Sequence, residues 1–173
     1  MLYGIVGKKE SGKTTIAEYM AKGYGYILRA FADPLKEMIL KAGMCTWEEL
    51  NTRKTNRSRY LMQKIGTEIF REQVDPLYWI KKMDALLRVD IHFNRDVVVH
   101  DVRFPDEGDL IHTLGGKLIR VERSGNGKRK DNHASETAQD AIVVDYLIKN
   151  YGTIPELYCQ IDSIVRGVKC MKE

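Results

Sequence analysis

Residues 2–14 read LYGIVGKKESGKT, an apolar run followed by a glycine-rich loop that ends in lysine and threonine. The loop matches the pattern G-x-x-x-x-G-K-[ST] and lies where this pattern has meaning, directly after a strand-like run and at the start of a helix-like one. Gly7 and Gly12 let the backbone turn so that successive N–H groups and the helix N-terminus face one point, where phosphate groups bind. The stretch therefore predicts a phosphate-binding loop.

The side chains of this loop predict ATP and Mg²⁺ as ligands. Lys13 is expected to neutralise the β and γ phosphates, which makes it a candidate catalytic residue, and the Thr14 hydroxyl is expected to bind Mg²⁺. Glu10 adds a negative charge near an anionic ligand, so we expect its side chain to point to solvent. The candidate ATP-binding residues are Gly7, Lys8, Lys9, Glu10, Ser11, Gly12, Lys13, Thr14 and Thr15.

Strand and helix patterns alternate along the rest of the chain. Short apolar runs, typical of strands buried on both faces, lie at 2–6, 26–31, 96–102, 117–122 and 145–150. Helical patterns lie at 14–22, 34–42, 57–71, 76–89, 105–114 and 155–168. The alternation predicts an α/β protein of one domain, with a mostly parallel sheet and at least two helices inserted between the second and third strands.

Composition excludes several classes of protein. With 43% hydrophobic and 30% charged residues and no apolar run long enough to span a bilayer, the chain is typical of a soluble globular protein. It starts without a signal-peptide pattern, so we expect a cytoplasmic location. The net charge of +4 does not by itself indicate nucleic-acid binding. Basic clusters at 51–64 and 120–133 indicate small anionic ligands held at defined places, with solvated helix faces as the alternative.

Two acidic residues follow strand patterns at the sheet edge where ligands bind. Asp101 ends the run VVVHD, and because ligands of such sheets lie at the carboxyl ends of the strands, Asp101 is a candidate Mg²⁺ ligand. Asp33 ends the run YILRAFAD and is expected to cap the helix that starts at Pro34, to serve the site, or to do both. The sequence assigns neither residue as a general base.

The arginines indicate which group accepts the phosphate. A hydroxyl acceptor benefits from a carboxylate base, whereas a phosphate acceptor needs cationic groups that bring two anions together, and the planar fork of arginine suits that task. Arginines occur near predicted strand ends, in the inserted helices and beside a glycine-rich segment: Arg29, Arg59, Arg71, Arg103, Arg120 and Arg123. We therefore favour a phosphate acceptor.

Four further segments follow the phosphate loop in an informative order. They are FADPLK at 31–36, RYLMQKIGTEIFR at 59–71, DVRFPDE at 101–107 and HASE at 133–136. Together with the loop they resemble the deoxynucleoside monophosphate kinases of bacteriophages, over most of the chain. The resemblance implies transfer of phosphate from ATP to a deoxynucleoside monophosphate, in the host cytoplasm if a phage encodes the chain.

The same resemblance implies a P-loop kinase fold with a five-stranded parallel sheet flanked by helices. In one kinase domain, residues 1–45 and 95–173 would form the core, about 46–94 a helical insertion that binds the monophosphate, and about 123–136 a lid.

Site roles follow from the resemblance residue by residue. Asp101 and Arg103 fall at the reaction centre, and Arg123, where the lid begins, is a further candidate catalytic residue. Asn150 and Gly152, after the last strand, are placed at the adenine by analogy with kinases of this architecture. The candidates for binding the acceptor are Asp33, Lys36, Arg59, Gln63, Arg71, Arg103, His133 and Glu136.

Other interpretations stay open. A phosphate loop and a lid also fit a small-molecule kinase of the dephospho-coenzyme A kinase or phosphomevalonate kinase type. Dephospho-coenzyme A kinase uses a hydroxyl acceptor, and for such an acceptor Asp33 would become the base. A nucleic-acid-binding P-loop NTPase would place both basic clusters on backbone phosphates, but no recognition helix or aromatic platform is evident, so we expect no nucleic-acid partner. The motifs leave open the accepted base and the number of subunits, with a homodimer as one option.

Overall fold

Within the residues that the structure describes, 1–123 and 138–167 of this computed structural model, five strands form one parallel sheet. They are β1 (Leu2–Val6), β2 (Ile27–Arg29), β3 (Val97–Val102), β4 (Lys117–Glu122) and β5 (Tyr146–Lys149). Their order across the sheet is β2-β3-β1-β4-β5, and every neighbouring pair is parallel. Each strand overlaps one of the predicted runs, so the predicted sheet is confirmed.

Helices precede and follow the strands, and most of them overlap a predicted helical pattern, whereas Trp47–Asn51 and a 3₁₀-helix at Gln139–Ala141 do not. Apart from the 3₁₀-helix, they are α1 (Lys13–Tyr24), α2 (Asp33–Lys41), α3 (Trp47–Asn51), α4 (Asn56–Gln63), a π-helix (Lys64–Val74), α5 (Tyr78–His92), α6 (Pro105–Thr113) and α7 (Ile154–Arg166). In the described part of the chain, no helix is both long and apolar enough to cross a membrane.

One compact unit contains the sheet and is called the sheet unit here; it comprises residues 1–29 and the described residues from 88 onward. All five residues of β1 are buried, because this strand lies at the centre with helices on both faces. An apolar cluster of this unit joins α1 and α7 to the sheet and consists of Tyr3, Ile5, Ile16, Ala17, Met20, Tyr26, Val98, Ile119, Val121, Ile148, Leu157 and Ile161. This packing holds the N-terminus of α1 against the end of β1.

The second compact unit, residues 30–87, is called the helical unit. Its core is formed by Leu35, Ile39, Cys45, Leu50 and Trp79. Trp79 is only 7% exposed and is therefore part of this core. The predicted insertion at 46–94 lies largely inside this unit, and its role in binding the monophosphate stays a prediction.

The helix predicted at 57–71 is present, but it is α-helical only as far as Gln63. The chain continues as a π-helix, in which the N–H of Asp75 bonds to the carbonyl of Phe70. The indole Nε1 of Trp79 donates to the carbonyl of Gly66, 2.8 Å away, and a Cβ on Gly66 would lie 2.6 Å from Leu35 Cδ2. The wider helix is therefore set by packing within the core, which hydrophobic periodicity does not report.

Candidate active site

The phosphate loop depends on its two glycines for different reasons. A Cβ on Gly7 would lie 2.5 Å from the carbonyl oxygen of Val121 and 2.7 Å from Ser11 Oγ, so a side chain has no room there. Gly12 has φ 107°, a left-handed conformation that other residues rarely adopt, and a Cβ there would lie 2.6 Å from Asn150 Nδ2. Both positions require glycine, as the motif predicts.

Lys13 places its charge over this loop. Its Nζ donates hydrogen bonds to the carbonyl of Gly7 and, at 2.8 Å, to the carbonyl of Lys8. Thr14, next along α1, is exposed in the first turn of the helix. The Lys13 ammonium, the N-terminus of α1 and the exposed Thr14 hydroxyl thus belong to one short segment. Such a segment is a suitable environment for phosphate groups.

Two residues from other parts of the sheet unit support the tip of the loop. Asn150 Nδ2 donates to the carbonyl of Ser11 at 2.8 Å, and Arg123 Nη1 donates to the carbonyl of Glu10 at 3.3 Å. Glu10 is exposed, as expected, and has φ 62°. Asn150 was expected at the adenine, and in the structure its amide holds the loop.

Asp101 and Arg103 lie at the edge of the sheet that carries the phosphate loop. Strand β3 is the immediate neighbour of β1, and Val102 pairs with Val6, the residue before the loop begins. Asp101 is half-buried and Arg103 is exposed. The parallel topology therefore brings these two predicted reaction-centre residues to the same edge as Lys13.

Sequence reasoning missed one residue beside this pair. Glu107, in the first turn of α6, is 5% exposed, and its Oε2 accepts the N–H of Arg103 at 2.7 Å and that of Phe104 at 3.2 Å. The available signal was the glutamate three positions after Phe104 in DVRFPDE, a spacing typical of helix N-terminal caps.

Two of the arginines counted from the sequence have structural partners in the sheet unit. Arg29 forms a fork on the buried carboxylate of Asp90, with Nε at 2.8 Å and Nη2 at 3.1 Å, and Arg95 adds a contact at 3.2 Å. The hydrogen bonds from Arg29 lower the pKa of Asp90 in spite of its burial. Arg120 donates to the carbonyls of Gln139 and Ile142. Arg29 and Arg120 thus stabilise the unit.

The predicted acceptor residues Asp33, Lys36, Arg59, Gln63 and Arg71 belong to the helical unit. Asp33 does not cap α2 but reaches back to accept the N–H of Ala30 at 2.9 Å, and its Oδ1 lies 3.4 Å from Lys36 Nζ. Arg59 and Gln63 are exposed, four residues apart on α4, and Arg71 is half-buried on the π-helix. His133 and Glu136 lie outside the described residues.

A groove in the helical unit also contains Arg59. This open groove, of about 780 Å³, was not expected from the sequence. Its lining is rich in charged and hydroxyl side chains: Glu48, Glu49, Asn51, Thr52, Arg53, Lys54, Thr55 and Arg59. Thr55, which lines this groove, also caps α4 by accepting the N–H of Ser58 at 3.1 Å.

Comparisons with known proteins agree with the motifs. The model of the deoxynucleotide monophosphate kinase family matches residues 44–161. A protein of Acanthamoeba polyphaga mimivirus that is named as a deoxynucleotide monophosphate kinase is 33% identical, and the match covers 99% of this chain and 99% of that protein. The deoxynucleotide monophosphate kinase of Escherichia phage RB69 is 34% identical over 67% of this chain, which spans about half, 48%, of that enzyme's length.

Among solved structures, dephospho-CoA kinase from Campylobacter jejuni is similar with a TM-score of 0.55, 16% identity and coverage of 96% of this chain and 98% of that one. At this identity the likeness concerns the fold alone, and it confirms the predicted P-loop kinase architecture. From the family match and the mimivirus relative, the chain belongs to the deoxynucleotide monophosphate kinase family.

Proposed function

We propose that this chain transfers the γ-phosphoryl group of ATP to the 5′-phosphate of a deoxynucleoside monophosphate, giving ADP and the diphosphate. The observation that supports it most is the position of Lys13, whose ammonium lies over the phosphate loop at the sheet edge that also carries Asp101 and Arg103. An acceptor oxygen forms a bond to the γ phosphorus while the bond to the β-phosphate oxygen breaks, and ADP leaves. A phosphate acceptor already carries its negative charge, so no general base is required.

Residues of the sheet unit would bind ATP and neutralise the charge of the transferred group. Lys13 and the N–H groups of the loop would hold the β and γ phosphates. Arg103, exposed after β3, and Arg123, beside Glu10, are suited to the charge that develops between donor and acceptor. Gly152 lies two residues beyond Asn150, and its contact with the adenine stays a prediction.

The oxygen ligands present fit a magnesium ion. Thr14 offers an exposed hydroxyl, and Asp101 a half-buried carboxylate at the neighbouring strand end, and both are the hard oxygen donors that Mg²⁺ prefers. Among the described residues, no group of three or more His, Cys, Asp or Glu side chains could by itself hold a metal ion. When bound, Mg²⁺ would neutralise phosphate charge and orient the β and γ phosphates.

The helical unit would bind the acceptor. Arg59 and Gln63, on one exposed face of α4, offer a cationic fork and an amide, and Arg71 follows on the π-helix. Asp33 and Lys36 on α2 are further candidates, with a carboxylate and an ammonium group for the polar groups of the nucleotide. We expect the enzyme to act in the cytoplasm, which is that of the host if a phage encodes the chain. Light scattering of the purified protein tests whether it is a homodimer.

The test is ADP release from ATP and Mg²⁺ with each deoxynucleoside monophosphate in turn. Dephospho-coenzyme A, phosphomevalonate and single-stranded DNA serve as control acceptors, and Lys13→Ala serves as the control variant. We expect turnover with at least one deoxynucleotide and a loss of about 100-fold or more in Lys13→Ala with its fold intact. Turnover only with a control acceptor would contradict the proposed substrate, and normal turnover in the variant would contradict the site.

A further inference from the structure

The loop that carries Arg103 is held by a buried acid. Between the end of β3 at Val102 and the start of α6 at Pro105 the chain has only Arg103 and Phe104. The N–H groups of both bond to one oxygen, Oε2 of Glu107, at 2.7 and 3.2 Å. The carboxylate therefore fixes the backbone of this whole connection.

Burying a carboxylate is costly unless it is well bonded, and Glu107 is 5% exposed. An exposed serine, threonine or aspartate at the helix start would cap α6 without that cost. The buried acid instead holds the main chain at the one point where β3 emerges beside the phosphate loop, since Val102 pairs with Val6. This placement favours a role in the reaction in addition to capping.

We propose that Glu107 is a positioning residue for phosphoryl transfer, acting through the backbone of Arg103 and Phe104 to direct the Arg103 side chain. The inference rests on the proposed function, and in particular on the role of Arg103. Arg103 is exposed, and an exposed arginine side chain has many conformations. Because its backbone is already fixed, less conformational freedom is lost when the side chain binds the phosphates. Glu107 itself does not contact the substrates in this proposal.

The experiment compares Glu107→Ala, Glu107→Gln, Arg103→Ala and the double variant Arg103→Ala/Glu107→Ala with wild type. For each protein we measure kcat with the best deoxynucleotide, KM for ATP and the thermal unfolding midpoint. We expect Glu107→Ala to lower kcat about 10- to 100-fold with little change in KM for ATP, because the reacting groups are misplaced and not lost. Glu107→Gln should keep most of the activity, because its amide oxygen can accept the same two hydrogen bonds.

The double variant separates positioning from capping. If Glu107 acts through Arg103, its removal should cost little further activity once Arg103 is alanine, although the unfolding midpoint still falls. The matched control is Asp145→Ala, which removes another carboxylate of the sheet unit that accepts a main-chain N–H, that of Leu118 at 2.8 Å. Asp145 lies at the amino ends of β4 and β5, so this variant should lose stability and keep kcat.

Four results would overturn the inference. If Glu107→Ala keeps the wild-type kcat while Arg103→Ala lowers it, Glu107 is a helix cap only. The same holds if the fold-losses in kcat of the two single variants multiply in the double variant. Wild-type kcat in Arg103→Ala would remove the residue through which Glu107 acts. If Glu107→Ala does not fold, Glu107→Asp replaces it, and normal kcat in that shortened variant would also overturn the inference. Absence of turnover in wild type with every deoxynucleotide would instead refute the proposed function.

Discussion

The indole Nε1 of Trp79 donates a hydrogen bond of 2.8 Å to the carbonyl oxygen of Gly66, inside the core of the helical unit. Trp79→Phe removes the donor and leaves a buried carbonyl without this partner, so the free energy of unfolding should fall by about 1–3 kcal/mol. This bond anchors the π-helix at Gly66, which lies between the candidate acceptor-binding residues Gln63 and Arg71. The KM for the deoxynucleotide should therefore rise, while the KM for ATP stays near the wild-type value.

Urea unfolding and steady-state kinetics check this prediction. Trp47→Phe is the matched control, because Trp47 is 59% exposed on α3 and should tolerate the change. Equal stability of the two variants would show that the Trp79 bond does not hold the π-helix.

Much of the fold was predictable because it depends on local patterns and strand burial. The phosphate loop, the strands and the edge position of Asp101 all follow from apolar runs and from the rules of parallel sheets. The short helix α3 was missed although Thr46 and Glu49 form a capping box whose spacing is visible in the sequence. The helix had too few residues to show a period.

Other features could not be predicted, because they arise from contacts between distant residues. The π-helix depends on Trp79, thirteen positions beyond Gly66. The bonds of Glu107 to Arg103 and Phe104 are local and their spacing is visible in the sequence, but the burial of its carboxylate is seen only in the structure. Asn150 reads as a loop residue, and its bond to the Ser11 carbonyl spans 139 positions. Long-range hydrogen bonds of this kind leave no periodic signal in one sequence.

Gly12→Ala should inactivate the enzyme through the loop backbone. At φ 107° an alanine is strained, and its Cβ would lie 2.6 Å from Asn150 Nδ2, which supports the loop. We expect KM for ATP to rise and kcat to fall by at least about 10-fold, since the N–H groups no longer face one point.

Gly23→Ala provides the control in the same helix. A Cβ on Gly23 would meet nothing within 4 Å, so this variant should keep full activity and gain about 0.5–1 kcal/mol in free energy of unfolding. ATP affinity is measured by displacement of a fluorescent nucleotide. Equal ATP affinity in both variants would contradict the loop geometry described above.

Arg59→Ala should weaken binding of the acceptor selectively. Loss of a charge-assisted hydrogen bond of about 1.5–3 kcal/mol corresponds to a rise of roughly 10- to 100-fold in KM for the deoxynucleotide, with KM for ATP unchanged. The matched control is Arg57→Ala, which removes the same exposed charge from the same helix. If both variants change KM equally, the effect is one of general charge and Arg59 has no specific contact.

Stability in acid should depend on Asp145. Its burial opposes ionisation, but hydrogen bonds from the Leu118 N–H, Lys117 and His112 together outweigh this and lower its pKa from 3.8 to about 2. Between these values the unfolded chain binds the proton more readily than the folded one. The carboxylate therefore stabilises the fold above about pH 4 and loses this effect as the pH falls through 2.

The contribution is about 1–2 kcal/mol for a side chain that is 22% exposed. Urea unfolding at a series of pH values should show Asp145→Asn less stable than wild type at pH 5, with the difference narrowing toward pH 2. Asp109→Asn removes an exposed carboxylate on α6, and its free energy of unfolding should differ from that of wild type by the same amount at every pH. A constant difference between wild type and Asp145→Asn from pH 5 to pH 2 would mean that packing, and not ionisation, is what the substitution removes.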